Sequence, residues 1–169
     1  MPVRPPDTLE RLIAGIAVLN GLHAIDHVLR GDFHLPIDDQ SIGLIVVIAT
    51  IYLVLGFGLI GYRRGTVGPR FWACIGLGGL VFGWLSHFSP FTDQPLSVIF
   101  HAYHAPVMGG IAVALLILLM LVVLVATVQA FVYWGMTKSD GGKSPAVALL
   151  PRNGRDCSIC ASSSQDPLR

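Results

Sequence analysis

The chain predicts an all-α membrane protein with four transmembrane helices in a bundle. Both termini would lie in the cytoplasm, the C-terminal one as a disordered tail. Three observations carry that prediction. Of 169 residues, 53% are hydrophobic and only 12% charged, about half the charge of an average soluble domain. The apolar residues fall in four blocks, each near the length of about 18 residues that reads as a membrane span. The basic residues are unevenly placed between those blocks.

The first block covers residues 12–29, within a helix of about 9–30. Asp7 and Glu10, three residues apart, read as a capping box at its start. The segment before it has three prolines, two acids and no clearly basic region, so a retained helix is expected and not a cleaved signal. The second block (42–62), the third (71–88) and the fourth (107–134, within a helix of about 105–135) contain no Lys, Arg, Asp or Glu. Gly56, Gly58, Gly61, Gly76, Gly78, Gly79 and Gly83 suit close helix packing. Together, residues 1–136 form the expected transmembrane domain. Residues 137–169, rich in Gly, Pro and Ser, form the expected tail.

Arg4 and Arg11 precede the first helix, Arg63, Arg64 and Arg70 crowd the second loop, and Lys138 and Lys143 follow the fourth helix. The positive-inside rule then predicts a multi-pass protein of the cell membrane, with termini and second loop inside and the first and third loops outside. A net charge of +1 gives no case for nucleic-acid binding. The lipid bilayer is the expected partner, with a homo-oligomer or a redox or metal partner on the outer face as further expectations. Four helices without an inverted repeat suit a transporter poorly. Cys74 reads as packing, and Cys157 with Cys160 as a lone CxxC that lacks the second pair of a zinc ribbon.

The histidines carry the functional signal. All six (His23, His27, His34, His87, His101 and His104) map to the predicted outer side. With His23 at zero on a helix that turns about 100° per residue, His27 falls near 40°, Asn20 near 60°, Asp26 near 300° and Arg30 near 340°. They form one polar stripe, and intramembrane ionisable groups are costly and usually functional. The pair His23/His27 can present two ring nitrogens to one point, as in HExxH, but the glutamate of that motif is absent. In the stretch from His101 to Met108, helical spacing would put His101, His104 and Met108 on one face, with thioether favouring copper. Pro106 would either open or kink the fourth helix.

The expected site is therefore an outward-facing transition-metal centre. Its ligands would be His23, His27, His87, His101 and His104, and Asn20, Asp26, Arg30, His34 and Met108 would assist. Copper, zinc and iron all accept imidazole. Asp26 would be a ligand, an orienting carboxylate or, in a hydrolase, the base. Asp32 reads as an entrance charge that attracts cations, and Asp38 and Asp39 as solubilising loop residues. Two alternatives remain open: b-type haem between His23 or His27 and His87 or His104, serving electron transfer, and a pH- or ligand-responsive protein without metal. The spacings His23-x3-His27 and His101-x2-His104 resemble the histidine boxes of membrane di-iron desaturases and hydroxylases. The HxxHH box of those enzymes is absent, so the resemblance is carried no further.

Overall fold

Among the described residues five helices follow one another: α1 (Asp7–Leu29), α2 (Asp39–Arg63), α3 (Pro69–His87), α4 (Leu96–His101) and α5 (Pro106–Gly141). The structure is a computed structural model, and it describes residues 7–141. Among these there is no strand. The expected tail beyond residue 141, with Cys157 and Cys160, lies outside the described residues. The helix expected to end near residue 135 continues to Gly141.

Among the described residues three helices, not four, are long and apolar enough to cross a membrane: Thr8–Leu29, Asp39–Arg63 and Pro106–Thr137. The expectation of four is corrected at α3. Its 19 residues include four glycines, two tryptophans, Arg70 and His87, and these dilute the hydropathy of an otherwise oily sequence. A short fifth element precedes the last span. Pro95 is the N-cap of the six-residue helix α4, which has no side-chain cap bond. Pro106 opens α5 at its first position, where its missing N–H costs nothing.

α3 and α1 pack on α5, and α4 packs across the first turns of α5. The glycines of α3 explain its approach to α5. A Cβ on Gly76 would lie 2.1 Å from Thr127 Oγ1, and one on Gly83 would lie 2.5 Å from Met120 Sδ. Small residues let two backbones come close. Gly109 does the same for α4, because a Cβ there would meet the Phe100 carbonyl oxygen at 2.2 Å. Gly78, by contrast, faces open space.

Two apolar clusters hold the assembly. One joins Leu9, Ile13, Leu55, Trp72, Ala126 and Ala130 around the α2–α3 connection. The other joins Ile99 of α4 with Ala112 and Leu116 of α5. α2 is tied to α1 by the Tyr52 hydroxyl, which donates to the Ala17 carbonyl at 2.8 Å, and by an ion pair of Arg63 with Glu10. Along most of its length it stands apart from α3 and α5. A cavity of about 1000 Å³ fills the space between these helices.

Candidate metal centre

The end of α1 is shaped by a glycine. Gly31 has φ 84°, the left-handed region that glycine adopts without Cβ strain. The Gly31 N–H donates to the Val28 carbonyl, and the Asp32 N–H donates to that of His27. This pair of bonds is the Schellman closure of a helix C-terminus. Its consequence here is chemical. The chain doubles back and sets the Asp32 carboxylate on the ring of His27, with Oδ2 2.8 Å from Nδ1.

Three histidines converge. His23 and His27 lie one turn apart on α1, and His87 is the last residue of α3. Each offers a ring nitrogen, and these nitrogens lie within 4.8 Å of one another. The Nε2 atoms of His23 and His87 are 3.4 Å apart. Two metal–nitrogen bonds of 2.0–2.1 Å at a tetrahedral angle put their nitrogens about 3.3 Å apart. His23 and His87 are each only 8% exposed, yet the Nδ1 atom of neither has a hydrogen-bond partner. Buried imidazoles that serve only packing normally have both nitrogens satisfied.

The tautomer of His27 follows from its neighbours. Nδ1 touches Asp32 Oδ2 at 2.8 Å and Arg30 Nη2 at 3.0 Å. A proton on Nδ1 donates to the carboxylate. Without it, two lone pairs would face each other at that short distance. Arg30 Nη2 finds a better acceptor in Asp32 Oδ2 at 3.2 Å. The lone pair of His27 is thereby left on Nε2, as in carboxylate–histidine–metal arrangements.

A buried ionic network backs the histidines. The Arg30 side chain is 2% exposed. Its Nε donates to Asp26 Oδ2 at 3.0 Å and its Nη1 to Gln94 Oε1 at 3.3 Å. Gln94 in turn donates to Asp32 Oδ1 at 3.2 Å. The Tyr103 hydroxyl donates to Asp26 Oδ1 at 2.6 Å. Burial, and then this bond to the carboxylate, push the Tyr103 phenol up to about 12. Two carboxylates thus share one guanidinium behind the histidines.

The residues expected at the site therefore separate. His23, His27 and His87 come together, with Arg30 and Asp26 behind them. Asp26 stands 3.9 Å from His23 Nδ1, with both oxygens engaged by Arg30 and Tyr103. Asn20 lines the adjoining cavity, its Nδ2 buried and unpartnered. His101 is exposed, its Nδ1 2.7 Å from the Ser97 carbonyl. His104 is exposed beyond the end of α4, and Met108 is half exposed on α5. Neither His101 nor His104 belongs to the converging group. His34 sits on the exposed loop, 3.6 Å from Asp38.

Tyr103 and Gln94 are the contributors that sequence reasoning missed, and Asp32, expected as an entrance charge, instead holds the ring of His27. For Asp32 a signal existed in "LRGD", where a glycine just past a helix end turns the next side chain back. For Tyr103 and Gln94 no local signal exists, since both reach Asp26 or Arg30 across more than 60 residues. Compared with protein-family models, curated proteins and solved structures, the chain shows no match.

Proposed function

We propose that this is an integral membrane protein that binds one transition-metal ion on His23, His27 and His87. The carrying observation is the convergence of three ring nitrogens within 4.8 Å, two of them on buried imidazoles whose other nitrogen is unpartnered. Three imidazoles leave the fourth tetrahedral position open, the pattern of sites that do chemistry or exchange their metal. Zinc, copper(II) and iron(II) all suit an all-imidazole set.

In this reading Asp32 holds His27 with Nε2 toward the ion. Asp26 faces His23 from behind, and Arg30 keeps both carboxylates in place. Asp26 is an orienting group here, because its oxygens are already engaged. A b-type haem is the less suited occupant. Axial ligation uses two imidazoles on opposite faces of the macrocycle, whereas here a third imidazole, that of His27, converges with those of His23 and His87. We further place this end of the bundle on the outer membrane face, supported by Arg63, Arg64 and Arg70 at the opposite end.

Elemental analysis of the detergent-purified chain tests the site. One equivalent of metal is expected for the wild type and for His101→Ala and His104→Ala. His23→Ala, His27→Ala and His87→Ala are expected to lose it. Full metal content in all three of those variants would overturn the assignment.

A further inference from the structure

The cavity beside the histidines has the form of a lipid-chain site. Leu9, Ile13, Ile16, Asn20, His23 and His27 line it from α1. Their spacing of three and four keeps them on one face, and from residue 9 to residue 27 that face runs about 27 Å at 1.5 Å per residue, close to the thickness of a bilayer core of about 30 Å. The first three of these residues are apolar and the last three polar. The polarity is therefore graded, with mainly hydrocarbon walls at one end, where Trp72 adds one buried, unpartnered Nε1, and the histidine cluster at the other. Thr50 and Thr127 in the walls do not break the pattern, because each hydroxyl donates to its own helix, to Val46 and Val123.

The sides are open as well. Val46 on α2 and Phe82 on α3 line the cavity and are still 57% and 50% exposed, so the mouth lies between these two helices. Because α2 is long and apolar enough to cross a membrane, that mouth faces the bilayer. Gly43 and Gly78 line it from either side, and a Cβ at either position would touch nothing within 4 Å. The backbone has left room there that no side chain fills. At the polar end, Asn20 Nδ2 is buried and unpartnered beside the histidines. The volume of about 1000 Å³ is at the top of the range for pockets that enclose small organic molecules.

We infer that the cavity admits one hydrocarbon chain of a bilayer lipid, entering between α2 and α3, with the lipid's polar group carried to Asn20 and the histidine cluster. An amphiphile matches the gradient end to end. A wholly polar ligand would leave the Leu9–Ile16 half of the groove without a partner. The inference rests on the metal-site reading only for what the polar group meets. It makes lipid the substrate or ligand class of that centre.

The test uses the full chain in nanodiscs of phosphatidylcholine, part of it carrying a diazirine at the end of one acyl chain. After irradiation, adducts are mapped by peptide sequencing, and metal content is measured on the same samples. Adducts are expected at the interior positions Ile16, Ile51 and Val123 as well as at the outer residue Phe57. Gly43→Leu and Gly78→Leu, which block the groove from opposite walls, are expected to lower interior labelling several-fold. They should leave Phe57 labelling and the metal equivalent unchanged. Adducts confined to Phe57 and other outer positions would overturn the lipid site, and so would interior labelling indifferent to both leucines. Metal retained in that case would show that the metal centre stands without it. Interior labelling in a chain that binds no metal would support the lipid site and overturn the metal reading instead.

Discussion

Asp32 decides which nitrogen of His27 is free. Its carboxylate accepts a hydrogen bond from Nδ1–H at 2.8 Å and leaves the Nε2 lone pair for a metal. Groups that orient a ligand in this way typically matter by about 10–100-fold in metal affinity. Asp32→Asn should therefore weaken metal binding by about that factor, read by competition with a chelator, while the helical circular-dichroism signal stays unchanged. Tyr103 offers a second check. Its phenol, pushed up to about 12, ionises later in the folded chain than in the unfolded one, where the ordinary value is about 10. The stability that the neutral phenol contributes is fully present below about pH 10 and is lost as pH rises toward about 12. Alkaline titration at 295 nm should show a tyrosinate step near pH 12 whose amplitude falls by one phenol in Tyr103→Phe. A Tyr103 step near pH 10 in the folded protein would contradict the bond to Asp26.

At the level of single helices, glycines decide where functional side chains stand. Gly31 turns the end of α1, and Asp32 reaches His27 because of that turn. Gly109 lets the end of α4 settle on α5, which places Tyr103 over Asp26. Gly110, its neighbour, has nothing within 4 Å of an added Cβ. The two substitutions should therefore separate. Gly109→Ala drives a methyl into a backbone carbonyl that cannot give way, and should lower the melting temperature and loosen Ile99 from Ala112 and Leu116. Gly110→Ala adds a better helix former in open space and should be neutral or slightly stabilising. Equal effects of the two would argue against the close approach of α4. The elements also bear on the expected pairing of His101 with His104. It assumed one helix through both, but α4 ends at His101 and His104 lies in the link to α5.

For the whole molecule, the proposed orientation in a bilayer rests on the placement of the basic residues. In a background without cysteine, Phe91→Cys, in the loop at the histidine end, should react from outside with a membrane-impermeant maleimide. Thr66→Cys, in the arginine-rich loop, should react only after permeabilisation. The reverse pattern would invert the proposed topology. The same view explains α3. It is too diluted in hydropathy to read as a span, yet its glycines fit it against α5, and its last residue completes the histidine group.

The apolar blocks, the helical character and the polar stripe of α1 were legible in the sequence. Each depends on composition or on periodicity within one helix, and those are local properties. His23 and His27 were legible for the same reason, as neighbours on one turn. Only the tertiary structure selected His87 over His101 and His104 as their companion, and brought Tyr103 and Gln94 to the ion pairs of Arg30. Those choices depend on how closely α3 and α4 approach α5 and α1. That approach is set by glycine contacts and chain reversals between distant segments, which no helical period encodes.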